Sequence, residues 1–256
     1  LRHISSDMPR VDGLGLPEVC SDLAMLKRGL VLVVGATGSG KSTTLAAMIN
    51  HRNESASDHI VTIEDPIEFL HANKRSIINQ REVGLDTRSY SAALRAVVRA
   101  APDVILIGEI RDRESMQAAI NLAGTGHLVL ATLHANNCAE SLDRIINMFP
   151  LDQFKQITLD LSQYLRAILA QRLVMGVDNK RVAAIEVMMN TPHIAELVKR
   201  GDVMSIKESI MQSADKDVRS FDSSLHKLFK QGRITLEEAL TYADSRTNLE
   251  AKINFG

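Results

Sequence analysis

The sequence predicts an α/β fold with a mainly parallel sheet, followed by a helical segment. Up to Pro150, short β-branched runs alternate with helix-forming segments, which is typical of parallel strands joined by crossover helices. One such run leads directly into a glycine-rich loop and then a helix, the order found in phosphate-binding loops. From Thr191 onward the apolar spacing is helical, so the sheet is expected to end before that residue.

Composition excludes several classes of protein. The 256 residues carry a net charge of −1, and aromatic residues make up 4% with no Trp, so we expect no nucleic-acid partner. Two cysteines, Cys20 and Cys138, are too few for a disulfide framework or a four-cysteine zinc site. The sequence contains no apolar run long enough to span a bilayer, so we expect no direct membrane insertion.

The chain up to Pro150 is expected to contain core strands and the helices that connect them. The predicted strands are residues 29–34, 59–63, 77–83 (a shorter edge strand), 104–107 and 128–132. The predicted helices are residues 18–27, 45–49, 91–100 and 113–123. Pro102 and Gly124 follow the last two helices, and neither residue type favours continuing a helix.

After Pro150 the pattern changes. Residues 154–173 are expected to form a helix, because their apolar residues follow a helical period. Residues 181–189 are expected to form one more strand or the arm of a hairpin. The remaining predicted helices are residues 194–200, 206–213, 220–231 and 236–243. We therefore place a core domain at residues 18–190 and a C-terminal helical subdomain at residues 191–256.

A phosphate-binding loop is predicted at residues 35–42, which have the pattern G-x-x-x-x-G-K-S. Its glycines let the backbone turn tightly, so that successive N–H groups point into one concavity at the start of a helix. Lys41 is expected to reach the β- and γ-phosphates of ATP, and the Ser42 hydroxyl to ligate Mg²⁺. The preceding strand and following helix argue against the alternative, a glycine-rich turn with a surface lysine. The candidate nucleotide-binding residues are Gly35, Ala36, Thr37, Gly38, Ser39, Gly40, Lys41, Ser42 and Thr43.

Polar residues follow the other core strands at their carboxyl ends. Glu64 and Asp65 end one strand, Glu109 ends the next, and His134 lies just beyond another. Ligands bind beyond the carboxyl ends of parallel strands. Glu109 is therefore expected to orient or deprotonate the attacking water, or to hold Mg²⁺ through water, and Glu64 can do the same. The alternatives are a helix cap for Glu109 and a turn for Glu64.

Gly108 and two histidines complete the predicted site. Many ATPases place an aspartate at the position of Gly108, so the acid that orders the metal is expected to be Glu64 or Asp65. An imidazole near the γ-phosphate can stabilise charge. We assign that catalytic role to His134, with a structural hydrogen bond as the alternative, and propose His127 as a further nucleotide contact.

Four arginines have two interpretations. Arg95 and Arg99 lie four residues apart on one predicted helix, and Arg111 and Arg113 follow Glu109. They are either solvated surface residues that pair along a helix or residues that face the nucleotide of a neighbouring subunit. We favour the surface for Arg95 and Arg113 and leave both interpretations open for Arg99 and Arg111.

Four motifs occur in the order of one known family. They are residues 35–42 (Walker A), 63–69 (Asp box), 106–112 (Walker B, with glycine before the glutamate) and 125–134 (His box), and residues 80–84 also fit. With them, residues 10–245 resemble the secretion-superfamily hexameric ATPases, and within these the type IV pilus retraction ATPases of the PilT and PilU family. The chain cannot form the four-cysteine zinc module usual in the related pilus assembly and type II secretion ATPases. The segments 131–137 and 242–245 look more like the PilU branch, whereas 194–201 match a PilT helix only in part.

The resemblance implies a RecA-like ATPase core, a homo-hexameric ring and Mg²⁺-dependent ATP hydrolysis that drives pilus retraction and twitching motility. It implies a cytoplasmic motor at the bacterial inner membrane, with a pilus platform protein and a PilT-like ATPase as partners. In the family a PAS-like domain precedes the core and supplies arginines to the nucleotide site. Residues 1–17 are accordingly expected to be the end of such a domain, with a strand remnant at residues 2–5, and a linker.

Two other functions remain open on the sequence alone. The chain can be an ATP-binding ring partner or regulator that needs a PilT-like motor, or a P-loop enzyme that acts on nucleic acid or a small molecule. Lys41, Ser42, Glu64 and Glu109 are all present, which favours a catalytic motor.

Overall fold

A computed structural model describes residues 8–255. The strand expected at residues 2–5 lies outside the described residues. The described chain contains a seven-stranded sheet in the order β3-β2-β4-β5-β1-β6-β7. Neighbouring strands are parallel except for β6 and β7, which form an antiparallel pair at one edge. The predicted α/β fold with a mainly parallel sheet is therefore confirmed.

The strands are β1 (Gly29–Val34), β2 (His59–Glu64), β3 (Ile77–Glu82), β4 (Val104–Ile107), β5 (Leu128–Leu133), β6 (Leu165–Met175) and β7 (Arg181–Met189). The helices are α1 (Val19–Ala24), α2 (Lys41–Ser55), α3 (Tyr90–Val97), α4 (Arg113–Gly124), α5 (Cys138–Asn147), α6 (Phe154–Tyr164), α7 (Pro192–Arg200), α8 (Val203–Gln212), α9 (Phe221–Lys230), α10 (Leu236–Thr241) and α11 (Arg246–Phe255).

The register of the parallel strands brings their carboxyl ends to one edge of the sheet. Val34 of β1 lies opposite Leu133 of β5, and Ile107 of β4 lies opposite both Ile63 and Ala131. All residues of β1, β4 and β5 are buried, as expected for strands that are covered on both faces. The segments that follow these strands therefore emerge side by side.

The prediction of a helix over residues 154–173 is wrong in its second half. Helix α6 ends at Tyr164, and β6 begins at the next residue and pairs with both β1 and β7. Most of β6 is buried. A strand that is buried on both faces is a nearly continuous apolar run, and periodicity cannot distinguish such a run from a buried helix. The sequence also did not predict α5 or α11, and it placed the start of α2 four residues too late.

Two apolar clusters lie on the two faces of the sheet. Successive residues of β1 point to opposite faces, so Leu32 joins one cluster and Val33 the other. Helices α1 and α2 contribute to the cluster around Val33, and α3 to α6 contribute to the cluster around Leu32. Apolar residues of α7 to α11, such as Val198 and Leu249, belong to the cluster around Leu32. The division at residue 190 stays a prediction, since these helices share their core with the sheet.

The helices were also too short or too polar to match the thickness of a bilayer, as far as the described residues extend. Within residues 8–255, none of them combines the length and the apolar character that crossing a membrane requires.

Candidate active site

The loop between β1 and α2 has the geometry of a phosphate-binding loop. Gly40 adopts φ +87°, which glycine adopts without strain. A Cβ at this position would lie 2.8 Å from the side-chain nitrogen of Gln171, and a Cβ at Gly35 would lie 2.4 Å from Ser39 Oγ. The loop therefore requires glycine at both positions, because a side chain would displace buried neighbours.

Gln171 on β6 holds this loop and was missed by the sequence analysis. Its Nε2 donates to the carbonyl oxygen of Ser39 at 2.7 Å, and the Thr44 hydroxyl donates to its Oε1 at 2.7 Å. The side chain is buried, and its two hydrogen bonds connect the loop to the first turn of α2. The sequence predicted a helix over this segment, and a helix gives no reason to expect Gln171 beside the loop. The contact could be found only once the segment was known to be a strand.

Lys41 lies at the start of α2 and is buried. Its ammonium donates to the carbonyl oxygens of Gly35 and Ala36 at 3.0 and 2.9 Å. Burial lowers the pKa of Lys41, and the negative charges of Glu109 and Glu68 oppose that shift. The ammonium therefore lies at the opening of the loop, where the oxygens of a bound phosphate can replace the two carbonyl oxygens as its hydrogen-bond acceptors.

The loop fits a phosphate group on a second observation. Ser39 Oγ is buried and has no hydrogen-bond partner among the described residues. The N-terminus of α2 adds backbone N–H groups and the positive end of the helix dipole. Together with Lys41, these groups provide donors and positive charge, and the chemistry of this donor set suits a polyphosphate.

A cavity of about 340 Å³ opens beside the loop, between α2 and the ends of β2, β4 and β5. The predicted residues that line it are Thr37, Gly38, Lys41, Ser42, Glu64, Asp65, Glu109 and His134. Residues that were not predicted also contribute to its wall: Glu68, His71, Tyr90 and Thr132. The fold therefore brings the phosphate-binding loop and the candidate acids to one place.

Glu109 contacts two basic side chains at the cavity. Its carboxylate contacts Nε2 of His134 on one side and Nε of Arg111 on the other. Arg111 also approaches Asp65, with 3.8 Å between Nη1 and Oδ2. Arg111, for which two interpretations were open, thus contacts acids of its own chain. Only 15% of the Glu109 side chain is exposed, so these neighbours restrict its orientation.

Gly108, where many ATPases have an aspartate, is closely packed. A Cβ there would lie 3.1 Å from the Tyr90 hydroxyl and 3.2 Å from the Cα of Glu64. A side chain at this position would therefore require β2 or Tyr90 to shift by a few tenths of an ångström. Burial raises the pKa of the Tyr90 phenol, so it remains a neutral hydroxyl beside the acids.

Glu64 lies at the end of β2, in the wall of the cavity. Its Oε1 accepts a hydrogen bond from the Thr62 hydroxyl at 2.6 Å and another from Gln80 Nε2 at 3.3 Å. Burial raises the pKa of the Glu64 carboxyl, and both hydrogen bonds oppose the shift. These contacts fix the carboxylate at the position where the sequence predicts an acid that orders the metal.

The two predicted histidines lie at opposite ends of β5. His134 follows the strand and lines the cavity, whereas His127 precedes the strand and bonds to Leu122 and Thr125. Seven residue steps at about 3.3 Å each place the two histidines about 23 Å apart. His127 therefore lies at the far edge of the sheet, outside the cavity of its own chain, and its contact with the nucleotide stays a prediction.

The remaining arginines lie outside the cavity. Arg95 forms an exposed ion pair with Glu114, with 2.9 Å between nitrogen and oxygen, which agrees with the surface interpretation. Arg99 and Arg113 are exposed, and neither lines the cavity.

Several known proteins are similar to this chain in sequence and in fold. Residues 18–249 match the family described as type II/IV secretion system protein. The type IV pilus ATPase PilU of Pseudomonas aeruginosa is 51% identical over 100% of this chain and 67% of its own length. The pilus retraction ATPase PilT of the same species is 42% identical over 93% of this chain and 69% of its own length. A crystal structure of the pilus retraction motor PilT with bound ADP superposes with a TM-score of 0.91 at 42% identity, over 97% of this chain and 71% of that chain.

Proposed function

Because the chain belongs to the type II/IV secretion system protein family, we propose that it is the motor subunit that powers retraction of a type IV pilus. It is an ATPase with a RecA-like core, similar to PilU and PilT. The observation that carries the proposal is the meeting of Lys41, Glu64, Glu109 and His134 around one cavity beside the phosphate-binding loop.

The residues of the cavity have distinct roles in this proposal. The backbone N–H groups of residues 36–43 and the ammonium of Lys41 bind the phosphates of ATP. The Ser42 hydroxyl would hold Mg²⁺, and Glu64 and Asp65, which line the same cavity, would hold its water ligands. When bound, Mg²⁺ supplies positive charge that offsets the charge on the phosphates.

The proton chemistry is assigned to Glu109. Its carboxylate accepts the proton of the attacking water, and Arg111 holds that carboxylate in orientation through a direct hydrogen bond. His134 lies against the other side of Glu109, where an imidazole stabilises negative charge that develops nearby. Because the Glu109 side chain is mostly buried, its electrostatic interactions are stronger than they would be in water.

The assembly and the location follow from the relatives and are proposals for this chain. We place it in a homo-hexameric ring at the cytoplasmic face of a bacterial inner membrane, beneath a pilus platform protein. A PilT-like ATPase is the proposed partner motor. Residues 1–17 are proposed to connect the core to a PAS-like domain, whose arginines complete the nucleotide site.

The proposal predicts the behaviour of a bacterial strain that lacks this protein. The wild-type gene is expected to restore pilus retraction, measured as twitching motility and as retraction of labelled pili. The Glu109→Gln variant is expected to fail, because the motor then has no base for hydrolysis. Glu114→Gln, the same chemical change at an exposed site on α4, is the matched control and is expected to complement fully.

The same experiment separates the motor from the alternative functions. If Glu109→Gln restores retraction as well as the wild-type gene does, hydrolysis by this chain is not needed and a regulator that needs a separate motor becomes the better description. If neither gene affects pili, the assignment to pilus retraction is contradicted.

A further inference from the structure

The edge strand β3 lies beside the nucleotide cavity, and its side chains contact the cavity wall. β3 pairs with β2 in parallel, with Gln80 opposite Thr62 and Glu82 opposite Glu64. Gln80 and Glu82 are two residues apart and so point to the same face. Residues 80–84 match the family pattern in the sequence, but none of them binds phosphate, holds the metal or moves a proton in the proposed function.

Gln80 connects three separate groups of the site. Its Nε2 donates to Glu64 Oε1 at 3.3 Å and to the carbonyl oxygen of Phe69 at 2.8 Å. Its Oε1 accepts from the backbone N–H of His71 at 2.9 Å. The carboxamide therefore uses both N–H groups and its oxygen, and it ties an acid of the site to the loop that follows β2.

That loop is part of the cavity. Asp65, Glu68, Phe69 and His71 all line it. Glu82 supports the same loop, because its Oε2 accepts from the backbone N–H of Ile67 at 3.0 Å. The edge strand thus holds the loop at Ile67, Phe69 and His71 through backbone groups of the loop.

We propose that Gln80 is a positioning residue for ATP hydrolysis, which sets the orientation of Glu64 and of the loop of residues 65–71 relative to the phosphate-binding loop. The inference rests on the proposed ATPase function. Gln80 itself touches no reacting atom in this proposal; it acts through Glu64 and through the backbone of Phe69 and His71. A residue that orients a metal-ordering acid in this way typically contributes about 10- to 100-fold to activity or to metal affinity.

The chemistry requires an amide at this position. Glu has nearly the same shape and keeps an oxygen that can accept from His71, but it has no N–H to donate to Glu64 or Phe69. A second carboxylate beside Glu64 would also repel it. Leu fills a similar volume and removes all three hydrogen bonds. Gln80→Glu therefore keeps only the hydrogen bond from His71, whereas Gln80→Leu keeps none of the three.

The test compares Gln80→Glu, Gln80→Leu and a matched control. Asn79→Leu removes an amide from the neighbouring residue of the same edge strand, on the opposite face, where Asn79 Oδ1 lies 2.8 Å from His59 Nε2. For each purified protein, kcat and KM for ATP are measured. Mn²⁺ affinity in the presence of a non-hydrolysable ATP analogue is measured by electron paramagnetic resonance, and backbone hydrogen exchange is measured for peptides covering residues 65–73.

Both Gln80 variants are expected to lose about 10- to 100-fold in kcat and in Mn²⁺ affinity, with KM for ATP changed much less. Exchange at residues 65–73 is expected to rise most in Gln80→Leu and less in Gln80→Glu, because Glu keeps the acceptor for the His71 N–H but loses the hydrogen bond to Phe69. Asn79→Leu is expected to match the wild type in all measurements.

Wild-type kcat and Mn²⁺ affinity in both Gln80 variants would overturn the inference, and so would equal losses in Asn79→Leu. Absence of turnover in the wild-type protein would instead contradict the proposed function, and Mn²⁺ affinity would then decide the inference alone.

Discussion

Glu109→Gln is expected to lower the rate of ATP hydrolysis by about 10²- to 10⁴-fold while leaving ATP affinity nearly unchanged. Loss of a general base typically costs that much. The amide keeps the shape of the side chain, and its oxygen can still accept a hydrogen bond from Arg111. It cannot take a proton from water at neutral pH. The contacts that hold the residue are thus preserved, and the chemical step is lost.

Phosphate release at saturating ATP measures this effect, with equilibrium binding of an ATP analogue as the parallel readout. Glu114→Gln serves as the control, since Glu114 pairs with Arg95 on the exposed surface of α4. Turnover of the Glu109→Gln variant within a few-fold of wild type would show that Glu109 is not the base. Glu64, another carboxylate of the cavity wall, would then be the better candidate.

Lys41→Ala is expected to weaken ATP binding by about 100-fold or more. The ammonium now makes two hydrogen bonds to loop carbonyls, and phosphate oxygens would replace these acceptors. Two hydrogen bonds that involve charged groups contribute about 1.5 kcal/mol or more each. Because Lys41 is buried at the start of α2, solvent screens this interaction less than it would at the surface.

Titration with a fluorescent ATP analogue tests this prediction. Lys199→Ala, which removes a lysine that is half exposed on α7, is the matched control and is expected to bind the analogue as the wild type does. Unchanged affinity of Lys41→Ala would contradict the assignment of the phosphate-binding loop.

The four central parallel strands were predictable because their sequences are short apolar runs that end in polar residues. The phosphate-binding loop was predictable as well, because its glycines are required by close approaches that the structure shows at Gly35 and Gly40. The position of His127 could also have been derived. The sequence places it before β5 and His134 after β5, and in a parallel sheet these positions belong to opposite edges.

The sequence could not predict contacts between distant segments. Gln171 reaches the loop only because residues 165–175 form a strand next to β1, and the apolar period of that segment fits a helix equally well. Tyr90 approaches Gly108, and Gln80 approaches Glu64, across elements whose packing no local pattern determines. Tyr90 lines the cavity, whereas Gln171 and Gln80 hold the phosphate-binding loop and Glu64, and each was found only from the fold.

ATP turnover by the purified protein, measured with Mg²⁺ and again after chelation by EDTA, tests the central claim that these residues form a Mg²⁺-dependent ATPase site. Turnover is expected to fall to the background rate in EDTA and to return when Mg²⁺ is added in excess, because Ser42, Glu64 and Asp65 line the cavity and are proposed to hold the ion and its waters. Turnover that persists in EDTA, or a protein that binds ATP with Mg²⁺ but never hydrolyses it, would contradict that claim.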